Sequence, residues 1–212
     1  MVVQAVNFFG HAAVASWTSV VPAVVLGAML PDFATMSGSR LAADAAHDAD
    51  LAAGIALHHA TDAAFHRLPV VLGLMRELDA LLAEGDCARG PRRAVAHIGV
   101  ELLLDGVLVD DPGYRAAYTA ALAHDPTITW RDGDDPARFE HLLTRLRAHG
   151  VPDDLRDPVA ITQRLARVLG HRPLLAPSAA DLRVIGAALV TYQPRVAVAA
   201  PTILRALRAG LA

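Results

Sequence analysis

The sequence contains no lysine, so all 19 of its basic side chains are arginine. It has one cysteine, Cys87, and only 5% of its residues are aromatic. A lone cysteine excludes an internal disulfide framework and a thiolate-rich zinc site, and it fits a cytoplasmic protein. Scarce aromatics beside abundant alanine argue against a β-sandwich, which needs branched and aromatic side chains, and for helices packed through small residues. Charged residues make up 19% and hydrophobic ones 54% of the chain, a balance that excludes disorder and a coiled coil. The net charge of −3 argues against nucleic acid as a partner. A length of 212 residues suits one compact domain with a generous core. The expected fold is therefore all-α, a single-domain helical bundle over residues 1–212.

Long apolar runs are also scarce. The one candidate, Ala12 to Leu30, carries Ser16, Thr18, Ser19 and Pro22 and is bracketed by His11 and Asp32. No basic segment precedes it, and the proline interrupts it midway. A buried helix, a break and a second short helix fit better than a signal segment or a membrane span, so no transmembrane segment is expected.

Charge is spread unevenly. Up to Ala137 there are 8 arginines and 17 acids; from Arg138 onward there are 11 arginines and 5 acids. The acidic part also holds most of the ten histidines, a mixture of carboxylate and imidazole that suits a bound cation. The chain thus reads as a metal-site core over 1–110 and an arginine-rich helical completion over 111–212. Helical periodicity is clearest in 50–66, 69–82, 91–108, 114–123, 136–148, 158–169 and 179–190. Pro31, Pro69, Pro91, Pro136 and Pro158 stand at or just inside expected helix starts, and Gly170 stands at an expected stop. The segment from Asp125 to Asp135, with four aspartates, reads as a loop between the two parts.

The most informative stretch runs from Gly54 to Pro69. At about 100° per residue, His58, Asp62 and His66 fall at roughly 0°, 40° and 80°, and His59 at about 100°. Three imidazoles and a carboxylate therefore share about a third of one helix. Burying such a stripe on an apolar face is costly unless the groups share a partner. His97, Glu101 and Asp105 repeat the i, i+4, i+8 spacing on a second helix, and the two helices are expected to face each other. Asp105 is a ligand or orients one. Nitrogen and oxygen donors without thiolate are the ligand set of zinc, manganese, iron or magnesium. By contrast His47, His124, His141, His149 and His171 read as structural or surface residues.

Three upstream and central segments resemble acyl-carrier-protein phosphodiesterase, an all-helical HD-like metal hydrolase. They are Asn7-Phe-Phe-Gly-His11, Gly27-Ala-Met-Leu-Pro-Asp32-Phe, and Gly54-Ile-Ala-Leu-His58 with Asp62 and Pro69. The turn at Asp32 and the Phe65-His66 step also resemble the zinc-dependent phospholipase C group. The resemblance covers residues 6–110 and implies His11 and Asp32 as further ligands. His66 and His97 stand where the carrier-protein enzymes tend to show aspartates, and Glu101 replaces another. That change enriches the site in nitrogen and moves the preference toward zinc or iron.

The reading that follows is a metal-dependent phosphohydrolase, a phosphodiesterase in which two divalent ions (Zn, Mn or Fe) activate water. Its expected ligands are His11, Asp32, His58, Asp62, His66, His97 and Glu101, with Asp62 bridging. His59 is the spare imidazole, a proton donor to the leaving alkoxide, and Arg92 with Arg93 are expected to clamp the phosphate. The substrate is a phosphodiester of a lipid, a small molecule or an acyl carrier protein. Two other classes share these residues: a non-catalytic protein that stores or senses a metal, and an HD-like di-iron oxygenase.

Overall fold

The computed structural model describes residues 8–46 and 48–211. Asn7, part of one motif above, and His47, read as structural, lie outside them. The described residues are predominantly helical, in the order α1 (Phe8–Ala15), α2 (Pro22–Ser37), β1 (Leu41–Ala46), α3 (Ala49–Phe65), α4 (Pro69–Glu84), α5 (Arg89–Leu108), α6 (Pro112–Ala123), β2 (Ile128–Trp130), α7 (Asp135–His149), a 3-10 turn (Asp153–Arg156), α8 (Pro158–Gly170) and α9 (Ala179–Leu211). The all-α class expected from composition is the one observed. No helix among the described residues is long and apolar enough to cross a membrane.

Proline starts several of these helices. Pro22, Pro69, Pro112, Pro136 and Pro158 occupy the first positions, where a missing N–H costs nothing. Asp111 and Asp157 cap α6 and α8 by accepting from backbone amides one turn on. α9 opens with a reciprocal pair: the Asp181 carboxylate accepts from the Ser178 amide, and the Ser178 hydroxyl accepts from the Asp181 amide.

Pro31 departs from expectation. It lies inside α2, not at a helix start, so Asp32 sits mid-helix. A proline in a helix interior costs about 3 kcal/mol. α2 tolerates it because residues from Ala23 to Ala34 are buried almost without exception, and tertiary packing overrides local preference. α9 likewise continues past Val190 to Leu211 through Pro194 and Pro201. The segment from Asp125 to Asp135 contains a short strand, β2, paired antiparallel with β1.

The chain packs as two compact units whose segments interleave. Among the described residues, one comprises 8–46, 48–63 and 108–152, the other 64–107 and 153–211. The division does not follow the change of charge near Ala137.

In the first unit Phe8, Phe9, Phe33 and Tyr118 form an aromatic core, with ring centroids 5.4 to 5.9 Å apart. The strand pair is tied down by Asp135, fully buried, whose carboxylate accepts from the Arg40 and Asp132 amides and pairs with Arg138. Those bonds hold Asp135 below the usual carboxylate range despite burial.

The second unit is built on α4, α8 and α9. Val71, Leu74, Leu78 and Leu82 form the buried stripe of α4, and Ile161, Leu165 and Leu169 that of α8. Tyr192 of α9 reaches across to α4, donating to the Leu74 carbonyl at 2.8 Å and sitting 3.1 Å from Glu77.

Candidate metal centres

The ligands expected from the sequence resolve into two sets, one inside each unit. His11, Asp32 and His58 form the first, with their donor atoms all within 4.8 Å of one another; His66, His97 and Glu101 form the second by the same measure.

The first set is assembled by three helices. α1 supplies His11, α2 supplies Asp32, and α3 supplies His58, all buried. What brings α2 and α3 close enough is a pair of glycines. A Cβ on Gly54 would lie 2.1 Å from the Val24 carbonyl, and one on Gly27 would lie 2.3 Å from that of Leu51. Only a bare backbone fits at that crossing. The Ala28 carbonyl thereby accepts from His58 Nδ1 at 2.9 Å, which leaves Nε2 as the free donor atom. A backbone carbonyl on the far nitrogen is the usual way of orienting a metal-binding imidazole.

Asp62, one turn beyond His58, joins this set. Its Oδ1 lies 3.3 Å from His11 Nε2 and its Oδ2 3.6 Å from His58 Nε2, so one carboxylate spans both imidazoles. His11 Nε2 lies 3.8 Å from Asp32 Oδ2. Asp62 is 42% exposed at its side chain whereas His11 and Asp32 are closed off, so the set opens to solvent on the Asp62 side.

The fit to a cation rests on this geometry. Both ring nitrogens of His11 and Oδ2 of Asp32 are buried without a hydrogen bond, a costly state for polar atoms unless something else binds them. The donor spacings of 3.3 to 3.8 Å exceed hydrogen-bond lengths. The shortest equals the edge of about 3.3 Å in a tetrahedron of ligands placed near 2.05 Å from zinc, and the other two are longer. Electrostatics agree. Burial pushes the Asp32 carboxyl up to about 7, with His11 opposing and Asp62 adding to the rise. Burial pushes His58 down to about 3, and His11 lowers it further while Asp62 and the Ala28 carbonyl pull the other way. His58 is thus a neutral imidazole at neutral pH, the form that binds metals.

The second set converges on one oxygen. His66 Nε2 and His97 Nε2 lie 3.4 and 3.3 Å from Oε1 of Glu101, and the two rings stack with centroids 4.7 Å apart. His66 follows the last turn of α3; His97 and Glu101 stand one turn apart on α5. Glu101 is buried, but the two imidazoles are about one third exposed, so this set reaches solvent on their side.

Of the remaining candidates, His59 is exposed, with its ring edge-on to His58 at 5.2 Å. Arg92 is held by Asp79, Nε to Oδ1 at 3.1 Å, whereas Arg93 is exposed. Asp105 is buried one turn beyond Glu101 and belongs to neither set. Sequence reasoning missed the Ala28 carbonyl, the Gly27–Gly54 crossing and Thr61, a buried hydroxyl with no hydrogen bond. Only the crossing left a trace, two glycines inside otherwise helix-favouring segments. The chain matches no family model, no curated protein and no solved structure.

Proposed function

We propose that the protein is a metal-dependent phosphohydrolase acting on phosphodiesters, with divalent ions of the zinc, manganese or iron type as cofactors. The observation that supports it most is the buried His11–Asp32–His58 set, in which both His11 nitrogens and Asp32 Oδ2 lack hydrogen bonds while the donor atoms of the three residues lie within 4.8 Å of one another. The resemblance to HD-like phosphodiesterases supports the reaction class, and the solvent-open sides of both sets support catalysis over closed storage, because substrate needs a vacant position.

A divalent ion bound in such a set supplies Lewis acidity toward a phosphoryl oxygen and lowers the proton affinity of water. The chain's own residues do the rest. Ala28 fixes the tautomer of His58 by accepting from Nδ1. Asp62, half-exposed and in reach of both His11 and His58, takes a proton from water entering on the open side. His59, exposed beside His58, is placed to give a proton to a departing alkoxide. Buried Glu101 anchors His66 and His97 while their exposed edges face solvent.

The test is turnover of bis(p-nitrophenyl) phosphate by protein loaded separately with zinc, manganese and iron. Hydrolysis that chelation removes and metal restores is the expected result. Metal-loaded protein that leaves this diester and p-nitrophenyl phosphate intact under every ion overturns the reading in favour of storage or sensing.

A further inference from the structure

We propose that Arg93 holds the substrate phosphate at the His66–His97–Glu101 set; the inference deepens the phosphohydrolase reading and rests on it. Arg93, His97 and Glu101 follow one another at i, i+4 and i+8 on α5, so they share one helix face, with neighbouring Cβ atoms about 6 Å apart. Arg93 stands one turn ahead of His97, whose side chain is 32% exposed, and is itself exposed. Arg93 thus stands on the same helix face as the exposed imidazole of His97, one turn away.

The adjacent arginine shows why the role falls to one residue. Arg92 is half-buried and committed to Asp79. Arg93 has no carboxylate partner among the described residues, and the first turn of α5 contains no acid. Its positive charge is therefore unneutralised within its own turn. A guanidinium offers two parallel N–H donors that match two phosphoryl oxygens, which gives orientation as well as attraction. Set beside imidazoles and a buried carboxylate that suit a cation, the arginine completes a site with one part for the metal and one for an anionic oxygen pair. The chemical class this selects is a phosphate mono- or diester with at least two free equatorial oxygens.

The test compares the unaltered protein, Arg93→Gln, Arg93→Lys and, as a control, Arg183→Gln at an exposed position of α9. Each is loaded with zinc, its metal content is measured, and it is titrated calorimetrically with inorganic phosphate; KM and kcat for bis(p-nitrophenyl) phosphate are measured alongside. Arg93→Gln is expected to keep its metal, to weaken phosphate binding tenfold or more and to raise KM similarly with a smaller change in kcat. Arg93→Lys should recover part of the loss, because it restores charge without the fork. Phosphate affinity and KM within twofold of the unaltered protein in Arg93→Gln overturn the assignment, as does an unaltered, metal-loaded protein that binds no phosphate. Should that protein bind phosphate through Arg93 yet turn over no ester, the Arg93 site stands and the hydrolase reading alone fails.

Discussion

Replacing Gly54 with alanine probes the α2–α3 crossing that brings His58 to the Ala28 carbonyl. The added Cβ would lie 2.1 Å from the Val24 carbonyl, 2.7 Å from Gly27 Cα and 2.8 Å from the Ala28 amide nitrogen, all backbone atoms that cannot swing aside. Relief requires α3 to withdraw from α2 by about 1 Å or more, the scale of rearrangement that overpacking forces. His58 Nδ1, now 2.9 Å from the Ala28 carbonyl, would then pass beyond hydrogen-bond range. Overpacking costs about 1–3 kcal/mol and the lost bond about 1 kcal/mol. The better helix propensity of alanine returns about 1 kcal/mol. The net expectation is destabilisation by about 1–3 kcal/mol, with metal affinity lowered about 10-fold to 100-fold through the misdirected imidazole. Gly73 is the matched control, a helical glycine in α4 with nothing within 4 Å of its Cβ position. Gly73→Ala should stabilise by about 0.5–1 kcal/mol with unchanged metal binding. Denaturant melts and metal titrations of both variants make the comparison. A Gly54→Ala protein as stable as its parent, with the same metal affinity, would refute the crossing as the device that positions His58.

Three further outcomes are expected. His58→Ala and Asp62→Ala should each lose metal from the first set and abolish hydrolysis, while His171→Ala, at an exposed position outside both sets, retains both; metal content unchanged in the two cluster variants contradicts the ligand assignment. Chelation should lower the melting temperature at neutral pH, since the ions bind only the folded donors; coincident thermal scans would remove the ions from the stability of the fold. Asp181, held at about 2 by the Ala88 amide, Ser178 and Cys87, has a folded value below its unfolded one, so its contribution of roughly 2 kcal/mol is present above pH 4 and is lost as pH falls from about 4 toward 2. The stability gap between the protein and Asp181→Ala should therefore narrow across that window, and a gap that stays constant contradicts the linkage.

The helices from α3 to α8 were legible through their 3.6-residue apolar period, with proline at the first positions of α4, α6, α7 and α8 and capping aspartates at α6 and α8. Where these signals conflict, the sequence misleads. Pro31 reads locally as a helix start and the expected helix over 179–190 stops short of Pro194, yet buried Leu30 and Phe33 on either side of one, and Tyr192 and Val196 on either side of the other, carry the helix through. The β1–β2 pair was not legible, since Leu41 to Ala46 shows no apolar alternation and its pairing depends on backbone bonds and on Asp135. In the candidate site, the i, i+4, i+8 stripes named the right residue types, but spacing along one helix does not say which neighbours complete a ligand set. That is decided by where α1 and α2 place His11 and Asp32, and by where α5 places Glu101 beneath His66 and His97. The arginine pair shows the same limit: adjacent in sequence, Arg92 and Arg93 differ because Asp79 stands beside only one of them.

Metal content by elemental analysis tests the central claim most directly. Protein purified without chelators, reconstituted with zinc and dialysed, should retain two ions per chain, one for each set of three donors. His58→Ala and His97→Ala should each retain one. A stoichiometry near zero in the unaltered protein would contradict the account at its foundation.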